Sequence, residues 1–123
     1  MNKGCIIIPC FNEELRLPIS EYKVFLANGA DVTLCFVNDG SADNTLKVLE
    51  DLRGSYPNNI IIVDKKVNAG KAEAVRTGML HCLKNESFDF IGYADADLST
   101  SLEEVISLQK YLKEEILKGE KIS

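Results

Sequence analysis

Apolar residues come along this chain in two alternating kinds of run. Four short continuous runs, Gly4 to Pro9, Val32 to Asn38, Ile60 to Asp64 and Phe88 to Ala94, predict strands buried on both faces. Between and after them, apolar positions recur at helical spacing over about Leu17 to Ala27, Ala42 to Tyr56, Gly70 to Asn85 and Leu102 to Lys118. The second helical stretch offers an inner stripe of Leu46, Leu49 and Leu52, with Ser41 or Asp43 as its cap. The third carries Ala72, Val75, Met79, Leu80 and Leu83 on one side. In the fourth, Ser99, Thr100 or Ser101 caps a first turn containing Glu103 and Glu104, ahead of Val105, Ile106, Leu108 and Leu112. Four such strand-helix units predict an α/β domain of Rossmann-like type, a mostly parallel sheet with helices on both faces. Nothing repeats and no linker interrupts the 123 residues, so residues 1–123 are expected to form a single domain. Lys118 to Ser123 read as a helix end leading toward another strand, which suits a piece of a longer protein.

Open parallel sheets bind ligands outside the carboxyl ends of their strands, and the polar clusters of this chain fall there. The sharpest is Asp95-Ala96-Asp97, where the run Phe90 to Ala94 ends. Carboxylates at i and i+2 on extended backbone point to one face, so both can address one hard divalent cation while a phosphate fills its open positions. Ser99 can complete that shell or cap the next helix. Asp39 ends the second strand, where its carboxylate can accept hydrogen bonds from a base N–H or sugar hydroxyls, while Asp43 reads mainly as a cap. After the first strand, Pro9 and Phe11 offer an apolar wall for a base and Glu13 a carboxylate for a ribose. Gly70 and Lys71 open a helix, where free N–H groups and the dipole favour an anion. Arg76 suits a salt bridge with a rim carboxylate as well as a substrate contact. Asp64 adds a further acid at the end of the third strand.

Composition narrows the partners. A net charge of −5, from 19 acidic and 14 basic residues, argues against nucleic acid or an anionic membrane as partner and suits magnesium or manganese. Cys5, Cys10, Cys35 and Cys82 lack C-x-x-C spacing and read as packed free thiols in a reducing compartment, so a cytoplasmic chain is expected. No stretch has the form of a signal peptide or the length of a membrane span, although the full-length protein is open to membrane association. The single His81 lies mid-helix and reads as filling. No G-x-G-x-x-G or Walker A pattern follows a strand, which argues against a dinucleotide or P-loop fold.

These motifs together resemble the family 2 glycosyltransferases of GT-A fold. Their donor-binding half carries P-x-[YF]-N-E, D-G-S-x-D-x-T, N-x-G-K and D-x-D elements, matched here by Pro9 to Glu13, Asp39 to Thr45, Asn68 to Lys71 and Asp95 to Asp97. The run Ala94 to Ser99 looks most like the branch making polyprenyl-phosphate (dolichyl-phosphate) mannose or glucose. The resemblance implies a hexosyltransferase that moves a sugar, with inversion, from a UDP- or GDP-sugar to an acceptor such as a polyprenyl phosphate or a glycan. It implies Mn2+ or Mg2+ as cofactor. Pro9, Phe11, Glu13 and Asp39 would hold the nucleoside, Asp95 the ribose or the metal-bound diphosphate, and Asp97 the metal, with Lys71 near a phosphate. Related sequences often have Gln where Ser99 stands. The family's general base lies well beyond the D-x-D, so it is expected outside this chain, leaving the donor-binding part. The rival from another class is a receiver-like magnesium-binding signalling domain, which Glu13, Glu14 and Asp64 imitate.

Overall fold

The computed structural model describes residues 3–29, 31–85, 88–108 and 111. Four strands, β1 (Gly4–Cys10), β2 (Val32–Asp39), β3 (Ile60–Lys65) and β4 (Phe90–Tyr93), form one parallel sheet in the order β3-β2-β1-β4. Helices α1 (Ile19–Ala27), α2 (Thr45–Ser55) and α3 (Lys71–Asn85) connect them, and residues 102–108 are helical. The chain winds outward from β1 through β2 to β3, then returns past β1 to β4. Right-handed crossovers therefore put α1 and α2 on one face and α3 on the other, and strand direction of travel switches between β1 and β4.

Alternation along the strands builds the two cores. Ile6, Ile8, Leu34 and Phe36 face Tyr22, Phe25, Leu26, Leu49, Leu52 and Leu102, with the Tyr22 and Phe36 rings edge to face at 5.3 Å. Cys5, Ile7, Cys35 and Val37 face Ala74 and Cys82 of α3. All four cysteines are buried free thiols, with Cys5 Sγ and Cys82 Sγ 3.4 Å apart.

Several boundaries differ from the sequence expectation for local reasons. Helix α1 starts after Pro18, whose ψ of 75° is not helical, so Leu17 packs into the core from outside the helix. Helix α2 starts at Thr45 rather than Ala42, with Asn44 at its N-cap position in place of the expected Ser41 or Asp43; ahead of it the backbone is held in a turn by Ala42 N donating to Asn12 Oδ1 and Thr45 N to Asp43 Oδ1. Its inner face is Thr45, Leu49 and Leu52, with Leu46 half-buried. Phe88 and Asp89 precede β4 in a loop where Lys3 N donates to the Asp89 carboxylate. Of the three proposed caps for the last helix, Ser101 accepts Glu104 N at 3.1 Å. The expectation for that helix beyond Tyr111, including Leu112, and for Lys118 to Ser123 lies outside the described residues.

The larger correction concerns α3. Its expected apolar side faces the sheet only in part: Met79 packs against the core and Val75 is half-buried, but Ala72, Leu80 and Leu83 are exposed, and the buried positions are Ala74, Gly78 and Cys82. A Cβ on Gly78 would lie 2.7 Å from Ile7 Cγ2 and 2.8 Å from Val37 Cγ2. At Gly78 the helix sits so close to the sheet that no side chain fits between them.

Candidate functional site

The turns leaving β1 and β2 are built from the same residues. Asn12, in left-handed backbone at φ 52°, donates its N–H to Ser41 Oγ and accepts Ala42 N at Oδ1. Glu13 N donates to Thr45 Oγ1 at 2.8 Å, Glu14 N to Asp43 Oδ2, and Asn44 N back to Glu14 Oε1. Thr45 Oγ1 in turn donates to Asp43 Oδ1. Ser41 Oγ donates to Asn38 Oδ1, and Asn38 Nδ2 to Asp64 Oδ1, so the chain of bonds reaches the end of β3. Asp64 thus lies within this brace and its carboxyl is held below the usual range, chiefly by the hydrogen bond from Lys66 and then by Asn38. The short Asp43-Thr45 bond lowers the Asp43 carboxyl in the same way.

Asp39 does a second structural job. Its Oδ2 accepts Asn68 Nδ2 at 3.0 Å and Gly70 N at 2.9 Å, and its Oδ1 accepts Ala69 N at 3.1 Å. Lys65 Nζ, buried, stands in ion-pair contact with Oδ1 at 3.4 Å without hydrogen-bond geometry. Asp39 is 2% exposed. It therefore fixes the segment that delivers the N-terminus of α3 and Lys71 to the rim. Gly40 makes this approach possible: at φ 66°, a Cβ there would lie 2.3 Å from Asn68 N.

Across the rim, β4 ends and Ala94 and Ala96 turn inward while Asp95 and Asp97 face out. Tyr22 Oη donates to Ala96 O at 2.9 Å, tying this turn to α1, and burial pushes the Tyr22 hydroxyl up. Leu98, at φ 57°, closes the turn. Ser99 N donates to Asp97 Oδ1 and Ser99 Oγ to Asp95 Oδ2. Lys71 Nζ pairs with Asp95 Oδ1 and lies 5.8 Å from the Tyr93 ring centre. That hydrogen bond holds the Asp95 carboxyl low and the Lys71 ammonium high.

These groups open onto one cleft of about 510 Å³, lined by Pro9, Phe11, Glu13, Asp39, Lys71, Asp95 and Asp97 among others. Every nucleotide-site residue expected from sequence lies at its wall, and Ser99 stands beside it through its bonds to both aspartates. Glu13 is paired with Arg16 at 2.8 Å. Arg16 also lines the cleft and escaped the sequence reading, because a lone arginine three residues after a turn glutamate carries no motif. Asn68 also stands at the wall, although its place in the sequence marks only a helix start. Arg76 turns away and pairs with Glu73 on its own helix. Cys10 is buried at the cleft floor, where burial, and then the Glu13 charge, push its thiol up and keep it neutral.

The donor set fits a magnesium or manganese ion. No group of three acidic, histidine or cysteine side chains able to hold a metal occurs among the described residues. Such ions are commonly held by one or two carboxylates, with water and substrate phosphate completing the shell. Asp95 and Asp97 would be the two carboxylates of such a site, and a cationic ammonium already rests on the first.

Known proteins place this architecture. The sequence model described as Glycosyl transferase family 2 matches residues 5–117. The chain is 33% identical over 116 residues to dolichyl-phosphate beta-glucosyltransferase ALG5A of Trichomonas vaginalis, covering 88% of this chain and 34% of that protein. It is 29% identical over 91 residues to poly-beta-1,6-N-acetyl-D-glucosamine synthase of Staphylococcus epidermidis, covering 74% and 21%. It spans between about a fifth and a half of the length of the curated relatives it matches. Its fold is that of the mannosyltransferase PcManGT from Pyrobaculum calidifontis, solved with GDP-Man and Mn2+, at a TM-score of 0.60 and 23% identity over 77% of this chain and 27% of that one. S. aureus TarS 1-349 in complex with UDP gives a TM-score of 0.60 and 24% identity, with the same two coverages. The receiver-like alternative falls with this match, and Asp64, which it needed in the cleft, is bound to Lys66 and Asn38. With a family match from Cys5 almost to the end and a cleft at the carboxyl edge of a GT-A-like sheet, the chain belongs to glycosyl transferase family 2.

Proposed function

We propose that the cleft binds the nucleoside diphosphate of a UDP- or GDP-sugar, and that this chain is the donor-binding part of an inverting, metal-dependent hexosyltransferase. The observation that carries the reading is that an apolar wall, a helix N-terminus with a lysine, and two outward aspartates share one cleft. Pro9 and Phe11 flank the base, and Glu13 reaches a ribose hydroxyl. Asp39 contacts the nucleoside by exchanging one of its internal donors, since its carboxylate already accepts three hydrogen bonds and faces the Lys65 ammonium in the free protein. Free N–H groups at the start of α3, together with Lys71, hold the diphosphate. Asp95 and Asp97 would hold a divalent cation, with Ser99 orienting both carboxylates. Bound there, it would supply charge neutralisation for a departing diphosphate. We assign no general base within this chain. The dolichyl-phosphate glucosyltransferase relative supports a polyprenyl phosphate as acceptor.

The GDP-Man and UDP of the two structural neighbours define the nucleotides to compare. The thermal midpoint of this chain, measured with UDP and with GDP and with and without Mn2+, is expected to rise with one nucleotide only when the metal is present. At a hundredfold excess over Kd, stabilisation is about 2.7 kcal/mol. Asp97→Ala, changing an exposed side chain, is expected to keep the unliganded midpoint and lose the metal-dependent rise. An equal rise in that variant overturns the metal assignment, and no rise with either nucleotide overturns the donor reading.

A further inference from the structure

We propose that Lys71 is a resident stand-in for the cation: it occupies the Asp95 carboxylate in the free protein, so that divalent metal binds well only together with a diphosphate that draws Lys71 away. This inference rests on the donor-binding reading and adds an order of events to it.

Three observations lead there. Lys71 Nζ sits on Asp95 Oδ1, while Asp95 Oδ2 accepts Ser99 Oγ at 3.3 Å, so both oxygens of the first aspartate are engaged before any ligand arrives. Asp97, by contrast, accepts only Ser99 N among the hydrogen bonds of the described residues. The Lys71 and Asp95 side chains are 56% and 47% exposed, which makes the pair exchangeable, because water screens exposed ion pairs and leaves them little net attraction. Finally, Lys71 is the first residue of α3, so the same side chain can pivot from Asp95 to an anion seated on the N–H groups of its own helix.

The charges explain why the exchange needs both ligands. Two carboxylates and one ammonium leave the free site with a single negative charge. A divalent cation alone must displace the ammonium or lie beside it, with no new anion to receive it. A diphosphate brings several negative charges, takes the ammonium and leaves both aspartates to the metal. By linkage, the factor by which nucleotide tightens metal binding equals the factor by which metal tightens nucleotide binding.

The test is Mn2+ binding by the chain, read from water-proton relaxation or the electron paramagnetic resonance of free Mn2+, with and without UDP or GDP. Lys71→Met is expected to bind Mn2+ alone roughly three- to tenfold more tightly than wild type. The factor by which nucleotide tightens Mn2+ binding is expected to fall by at least as much. Lys71→Arg, which keeps the cation, is expected to retain the coupling. Unchanged or weaker binding of Mn2+ alone by Lys71→Met overturns the proposal, as does tighter binding with undiminished coupling, which would mean simple charge repulsion. If wild type binds nucleotide with Mn2+ and the two proteins bind Mn2+ alone equally, this proposal fails and the donor reading stands. If wild type binds neither nucleotide at any Mn2+ concentration, both fail.

Discussion

The turns after β1 and β2 brace each other through side-chain bonds reaching from Asn12 to Asp64, most of them half-buried, whereas the Asp95-to-Ser99 turn opposite is anchored through Ala96 to Tyr22 but leaves its two carboxylates on exposed side chains beside one exchangeable lysine. One wall of the cleft is fixed by folding, and the carboxylates of the other are left for their ligand to complete. Binding entropy explains the division. A nucleoside wall built in advance costs little ordering when the ligand arrives. A metal and diphosphate site of like-charged carboxylates is more stable with a temporary counter-charge than when locked in its bound form.

Breaking the fixed wall has the largest expected effect. Asp39→Ala removes the acceptor of Asn68, Ala69 and Gly70 and leaves the buried Lys65 ammonium without its partner. Removing one member of a buried pair costs about 3–5 kcal/mol. Urea unfolding is expected to show a loss in that range, and a loss below about 1 kcal/mol would mean that the 68–70 segment is held by other contacts. The equivalent insult to the open wall, Asp97→Ala, is expected to leave the urea midpoint nearly unchanged.

A smaller effect tests the joint between the two turns. Thr45 is fully buried, accepts Glu13 N at 2.8 Å and donates to Asp43. Thr45→Val keeps the shape, leaves the Glu13 N–H without its acceptor and is expected to cost about 1–2 kcal/mol. Because Glu13 moves with this bond, nucleotide affinity is expected to weaken in the same variant. Weaker stability with unchanged affinity would separate Glu13 from the ribose role.

What was legible in the sequence divides along the same line. The strand ends and their polar residues were readable because continuous apolar runs stop sharply at Pro9, Asp39 and Asp95; the extended backbone expected for Asp95 to Asp97 is instead a turn after β4, in which the alternation of buried and exposed residues continues and leaves both aspartates outside. The brace was not readable, since hydrogen bonds such as Asn12 to Ser41 join residues about thirty positions apart and depend on parallel pairing of β1 with β2. Hydrophobicity misled at α3, where close approach to Ile7 and Val37 selects Ala74, Gly78 and Cys82 and leaves Leu80 and Leu83 outside. Arg16 was invisible for a related reason: only the turn that ends at Leu17 brings it back to Glu13.

The smallest expected effect sharpens the comparison through pH. Asp64 belongs to the fixed wall and Asp95 to the open one, and both carboxyls are held low, chiefly by Lys66 and Lys71 respectively. A carboxyl depressed by folding contributes stability that is present above its unfolded pKa of about 4 and lost as pH falls through its folded value. The partner lysines, raised by the same pairs, lose their contribution only as pH rises above about 10.4, far from this limb. Asp64→Asn can still accept from Asn38, so it should lose less stability than wild type as pH falls from about 5 to 2, by up to about 1 kcal/mol. Asp95→Asn should flatten the same limb less, because its side chain is 47% exposed against 25% for Asp64 and water screens its pair more strongly. Urea midpoints of the three proteins across this pH range check the order. If Asp95→Asn flattens the limb more than Asp64→Asn, the Lys71 pair is tighter than its exposure implies and the open wall is as fixed as the other.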